Sequence, residues 1–216
     1  CGTGATTRAV LGVIPVEGEG VGVDGGPEIV AVARTETVDP RASFVVADAP
    51  AVARAVEGSF DAAVSNAAFW QFPHQARVWK ALGRLLAPGA ALTFNLPAER
   101  EAQVGPAHGF QVALARAIEC RSDQLYVETA TRFDLDRTRA RAQAAGFSEA
   151  LREVRTWVGP QSELIELMRI PAMGAPMASG LSHDQVLDAV DEASRRVDPD
   201  REVEVDWVYV RYRREG

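Results

Sequence analysis

Over its first hundred residues the chain alternates short apolar runs with stretches of helical period. GVGVD (Gly20–Asp24), SFVVAD (Ser43–Asp48), FDAAVSN (Phe60–Asn66) and AALTFNLP (Ala90–Pro97) read as strands, continuous enough in their apolar content to be covered on both faces. Between them lie helical stretches. Ala5 to about Ile14 is broken by Pro15 and Gly18, and Glu28 to about Glu36 follows the turn Gly25-Gly26-Pro27. Ala51–Val56 is brief, and Gln75–Leu86 sets Val78, Trp79, Leu82, Leu85 and Leu86 on one side before Pro88-Gly89 closes it. Strand and helix in alternation predict an α/β fold with a doubly wound, mostly parallel sheet.

The second half is less regular. Gly109–Cys120 is an amphipathic helix carrying Phe110, Val112, Ala113, Leu114 and Ile118, and Leu135–Ala145 is a helix ended by Gly146-Phe147. Leu151–Val158 alternates as a strand, Gln161–Met168 is helical, and RIPAMGAPMASG is loop-like. Asp184–Val197 is a helix with Ser182 or His183 near its N-cap. Glu202–Arg214 alternates strictly, with Val203, Val205, Trp207, Tyr209 and Arg211 on one face. It reads as a closing antiparallel strand, the hairpin partner of Leu151–Val158.

Composition narrows the function classes. The 216 residues suit one domain with additions, or one and a half, and 47% hydrophobic with 25% charged residues is ordinary for a soluble globular chain. Thirty acids against 23 bases leave a net charge of −7, which disfavours nucleic acid as a partner; Arg211, Arg213 and Arg214 read as a solvated strand end. No apolar run approaches the ~18 residues of a membrane span. Cys1 and Cys120 make neither a metal cluster nor a disulfide framework, so no metal is expected and a reduced, cytoplasmic setting fits. Richness in Ala, Val, Arg and Gly points to a GC-rich bacterial genome.

The candidate chemistry lies where the strands end. Gly2-Thr3-Gly4, a helix-length segment and an apolar strand ending in Asp24 form part of a nucleotide-binding βαβ unit, the acid suited to a pair of ribose hydroxyls. Asp48, Ser65-Asn66 and Asn95 end the following strands, and ligands in such folds sit outside the carboxyl ends of the sheet. A nicotinamide-dependent oxidoreductase shares Gly-x-Gly and the acid. Its fingerprint asks for a third glycine where this chain has Thr7, and no Tyr-x-x-x-Lys pair follows, Lys80 being the only lysine.

CGTG at the start, GVDGGPEIVAVAR at 22–34, FVVADA at 44–49, FDAAVSNAAFWQF at 60–72 and LGRLLAPGAALTFNLP at 82–97 together resemble the class I S-adenosylmethionine-dependent methyltransferases. The resemblance implies a Rossmann-like fold with S-adenosyl-L-methionine as cofactor. It implies a methyltransferase core over 1–158, an inserted helical region over 159–200 covering a small-molecule substrate, and a closing strand over 201–216. Gly2, Thr3 and Gly4 would pass under the methionine part. Asp24 would hold the ribose with Gly25 and Gly26 beside it. Asp48 and Ala49 would meet the adenine, and Ser65, Asn66 and Ala67 would line the channel. Phe69 and Trp70 would wall the sulfonium end.

Methyl transfer from an activated donor makes a general base optional; of His74, His108 and His183, His74 is the preferred catalytic candidate over its alternative as an exposed helix-start residue. The family's usual first strand is absent ahead of Cys1. The chain alone is therefore expected to fold marginally and to bind the cofactor poorly. Leu164–Met177 reads equally as a lid, as ordinary packing or as a homodimer contact. A non-catalytic binding module that keeps the fold is the alternative function.

Overall fold

The computed structural model describes residues 1–97, 109–121, 134–170 and 180–216. They divide into two compact units. One is Cys1–Leu96 with Asp134–Glu153 and Val208–Gly216; the other is Pro97–Phe133 with Val154–Trp207. The second unit thus takes in more than the 159–200 stretch that the sequence sets apart.

In chain order the elements are α1 (Ala5–Leu11), β1 (Gly20–Asp24), α2 (Pro27–Glu36), β2 (Ala42–Val46), a 3₁₀ turn (Ala49–Ala51), α3 (Val52–Ala55), β3 (Phe60–Ser65), a second 3₁₀ turn (Phe69–Gln71), α4 (Gln75–Leu85), β4 (Leu86–Pro97), α5 (Gly109–Glu119), α6 (Leu135–Ala144), β5 (Phe147–Pro160), α7 (Gln161–Arg169), α8 (His183–Ser194) and β6 (Glu202–Arg214). β1 and β2 pair in parallel from Gly20 opposite Ala42 to Asp24 opposite Val46. A four-stranded mixed sheet follows the order β3-β4-β6-β5, with β3 and β4 parallel. Among the described residues the β1–β2 pair forms a sheet of its own.

Local chemistry sets the boundaries. Pro27 opens α2, where its missing N–H costs nothing. Ser182 and Gln185 form a reciprocal capping box that starts α8, while Asp134 caps α6 through the Arg137 N–H at 2.8 Å. Pro88-Gly89 does not stand between α4 and the next strand as expected. It is a bulge inside β4: Phe60 pairs with Leu86 but Ala62 with Ala91, and Gly89 takes φ +81°. β6 corrects the expected face as well. Val203 is buried, but so are Val210 and Tyr212, while Arg211 is exposed. From Trp207 onward both faces of this strand carry apolar residues, so alternation alone does not say which one turns inward.

The core of the first unit is aromatic. Trp79 of α4 stands edge-on to Phe69, Phe147 and Tyr212, with ring centroids 5.4, 5.4 and 5.0 Å away, and Phe69 stacks on Phe94 at 4.2 Å. A smaller cluster joins Val30 and Ala33 of α2 to Phe44 of β2. The second unit has a core of its own, in which Phe110, Leu114 and Ile118 of α5 meet Val186 and Val190 of α8 and Ile165 of α7. Leu164 and Met168 pack against that core, which is the ordinary-packing reading for their part of Leu164–Met177; residues 171–177 lie outside the described residues. Val112 is exposed, because the inward stripe of α5 runs through Phe110, Ala113, Leu114, Ala117 and Ile118.

Tyr212 shows what this packing does to a titratable group. Burial, with the Glu149 carboxylate accepting from its hydroxyl at 3.3 Å, pushes its pKa up to about 12. An unfolded tyrosine ionises near 10, so between pH 10 and about 12 the unfolded chain releases a proton that the native state keeps. Stability is unaffected by this group below that window and falls as pH rises through it, by about 2–3 kcal/mol in all. Denaturant midpoints measured across the window are expected to show this slope, and Tyr212→Phe to flatten it.

Candidate functional site

The cluster at the end of β1 is built on Asp24. Its backbone carbonyl accepts from the Ala47 N–H at 2.9 Å, which carries the chain beyond β2 toward Asp48. Its carboxylate is fixed from two sides. Oδ2 accepts from the Gly2 N–H at 2.9 Å and from the Cys1 backbone nitrogen at 3.0 Å, and Oδ1 accepts from the Gly26 N–H at 3.1 Å. Burial by itself raises the pKa of this group. The backbone hydrogen bonds from Gly2 and Gly26 lead the effects that oppose it and hold the group below the usual carboxylate value, so Asp24 is ionised at neutral pH. The side chain keeps 30% of its surface exposed, which leaves it open to a ligand.

Glycines make room here. A Cβ on Gly25 would stand 3.0 Å from Asp48 Oδ1, so the gap beside that carboxylate exists only because Gly25 has no side chain. Gly2 and Gly4 take φ of +54° and +85°, the left-handed region that glycine enters freely. Thr3, between them, is exposed, and its carbonyl accepts from Arg8 Nη1 at 2.9 Å. Asp48 precedes the Ala49–Ala51 turn that Ala49 opens, and its carbonyl accepts from the Ala51 N–H at 2.8 Å. Thr7 is buried, and its Oγ1 would lie 2.9 Å from a Cβ on Gly22. The close approach of α1 to β1 is therefore provided by a glycine in the strand, not by the third glycine of the nicotinamide fingerprint.

A second cluster follows β3. Ser65 ends the strand opposite Phe94, and its Oγ is buried with no hydrogen-bond partner among the described residues. Asn66 is exposed. Ala67 takes φ +51° and donates its N–H to Asn95 Oδ1 at 2.7 Å. Trp70 is half-buried in the Phe69–Gln71 turn. Phe69, expected beside the sulfonium, is instead 1% exposed and stacked into the aromatic core. His74 is exposed at the N-cap of α4 with φ +52°; His183 is the exposed first residue of α8, in the other unit, and His108 lies outside the described residues.

Gly2, Gly4, Asp24, Gly25 and Asp48 thus gather at one end of the β1–β2 sheet, and Ser65 to Trp70 follow β3. α4 packs on both the Ala49–Ala51 turn and α3, which ties the segments after β2 and β3 together. Sequence reasoning named Asn95 only as a polar strand end and missed its bond to Ala67. It passed over Gln75, whose Nε2 donates to the Phe69 carbonyl at 2.9 Å, and no periodicity signals that contact.

Residues 1–94 match a family model described as a methyltransferase domain. A search of curated protein sequences finds no match. Many solved structures are alike in fold. One, described for the conversion of a disulfide bond into a thioacetal group during echinomycin biosynthesis, gives a TM-score of 0.59 at 20% identity over 100% of this chain and 73% of that one. The (4+2) cyclase SpnF gives 0.57 at 17% identity over 100% and 72%. Phosphoethanolamine N-methyltransferase 2 of Haemonchus contortus, in complex with phosphomonomethylethanolamine and S-adenosylhomocysteine, gives 0.56 at 17% identity over 100% of this chain and 47% of that one.

Proposed function

We propose, from the match of residues 1–94 to a methyltransferase domain, that the chain is a class I S-adenosylmethionine-dependent methyltransferase that moves a methyl group from S-adenosylmethionine to a small-molecule acceptor by in-line displacement. Fold alone does not carry this, since a (4+2) cyclase is among the structures of the same shape. The observation that carries it is the ionised Asp24 carboxylate at a strand end, with Gly25 leaving a gap beside Asp48.

The donor set suits an adenosyl group. A carboxylate offers about four acceptor positions, and the Gly2 and Gly26 N–H groups take two of them at Asp24. The positions left open on the carboxylate are the ones proposed to accept from the ribose hydroxyls. Asp48 accepts from the adenine amino group, with the Ala49 backbone beside it and with Gly25 keeping the approach clear. The buried, unpartnered Ser65 hydroxyl has a hydrogen bond to give, and Asn66 and Ala67 border the same turn. Trp70 offers an aromatic face to a sulfonium cation.

Bound S-adenosylmethionine supplies a methyl carbon already activated by positive charge. What remains for the protein is to hold the acceptor in line and at near-attack distance while water is kept out. Where the acceptor must lose a proton, His74 at the head of α4 is the proposed base. A small molecule is the proposed acceptor class because the net charge of −7 opposes a polyanion. The Haemonchus contortus enzyme of like fold is in complex with such a molecule, phosphomonomethylethanolamine.

The test combines calorimetric titration with S-adenosylhomocysteine and transfer of a labelled methyl group to a panel of small acceptors, using the intact protein. Binding together with label in a small-molecule fraction is expected. Binding without transfer to any acceptor would favour the non-catalytic module, and absence of both would remove the reading.

A further inference from the structure

We propose that Asn95 is a positioning residue of this site, holding Ala67, and with it the turn from Ser65 to Ala67, in a left-handed backbone conformation. The inference rests on the proposed function. Among the described residues Ala67 and His74 are the non-glycine positions with positive φ, and they bracket the segment between β3 and α4. For a residue with a Cβ that conformation is strained and persists only where its surroundings impose it.

At Ala67 the surroundings are side chains. Its N–H donates to Asn95 Oδ1 at 2.7 Å, and its carbonyl accepts from Gln71 Nε2 at 3.4 Å. Further along the segment Gln75 Nε2 donates to the Phe69 carbonyl at 2.9 Å, and the Phe69 ring is locked on Phe94, the residue before Asn95. Asn95 itself is 5% exposed, so water cannot readily replace its amide oxygen. β4 therefore reaches sideways to fix the backbone at the end of β3. Without Asn95 the Ala67 N–H loses its acceptor, φ relaxes to negative values, and the Asn66–Ala67 peptide plane turns away from the geometry proposed for ligand contact.

The test is titration of the intact protein with S-adenosylhomocysteine, with melting followed in parallel. Asn95→Ala is expected to weaken binding about tenfold, as misplaced contact groups do. Asn95→Asp, which keeps an oxygen acceptor facing the Ala67 N–H, is expected to recover most of the loss. So is Asn95→Ala combined with Ala67→Gly, because glycine enters the left-handed region without strain. Leu92→Ala, a core change on the same strand, serves as the stability control: it lowers the melting temperature but leaves affinity alone. Wild-type affinity in Asn95→Ala, or a loss no greater than in Leu92→Ala, overturns the inference. If Asn95→Ala does not fold, the double variant decides, and a folded double variant that fails to bind overturns it too. An unsubstituted protein that does not bind S-adenosylhomocysteine brings down the methyltransferase reading itself, and this inference with it.

Discussion

Replacing Asp24 by alanine is expected to weaken S-adenosylhomocysteine binding by about 100-fold in the intact protein, since hydrogen bonds to a charged group are worth about 1.5–3 kcal/mol each and about 2.7 kcal/mol is two decades of affinity. The carboxylate is held ready by the Gly2 and Gly26 N–H groups, so a ligand meets it already oriented and ionised. Asp24→Asn is expected to lose less, about tenfold, because it keeps one oxygen acceptor but drops the charge. It also sets an N–H₂ group where backbone N–H donors already converge. Both variants are expected to stay folded: the half-exposed backbone donors they leave behind can turn to water, and circular dichroism checks this directly. A dissociation constant for Asp24→Ala within threefold of the unsubstituted protein would break the link between this strand end and the adenosyl group.

Trp79→Ala is expected to bring the largest loss of stability, about 3–5 kcal/mol, which approaches the whole stability of a marginal domain. Trp79 is fully buried and touches rings from four other segments of the first unit: Phe69 after β3, Phe94 on β4, Phe147 on β5 and Tyr212 on β6. Removing it opens a cavity where those segments meet, and stacked rings cannot collapse to fill it. Trp79→Phe is expected to cost far less. Among the described residues the indole Nε1 has no hydrogen-bond partner, so phenylalanine removes an unsatisfied buried donor along with the lost volume. Urea unfolding of the two variants measures both, and a loss below about 1 kcal/mol for the alanine variant would show that the aromatic cluster does not hold the unit together.

Most of the first-unit architecture is legible in the sequence because each strand there is a short apolar run punctuated by glycine, proline or an acid. β1 runs over Gly20–Asp24 as read, and α2 and α4 begin within a residue of their expected starts. The left-handed glycines and Asp24 are legible for the same reason: turn chemistry and a charged strand end are local signals. What is not legible depends on partners distant in sequence. Nothing around Phe69 tells that its ring will find Phe94 and not a ligand, and nothing around Asn95 says that it will accept from Ala67. β6 is ambiguous in a different way, since valines and aromatics on both faces satisfy either inward side. The Pro88-Gly89 bulge looks like a full stop between elements because proline and glycine break ladders, yet a strand interrupted there resumes its pairing from Ala91.

Among the described residues, the rings gathered on Trp79 and the cluster in which α5 meets α8 have no member in common. A protein so divided need not melt all at once, and the two-state assumption behind a single transition temperature does not hold for it automatically. Calorimetric traces of this chain should therefore be fitted with independent transitions before any change in midpoint is translated into an affinity.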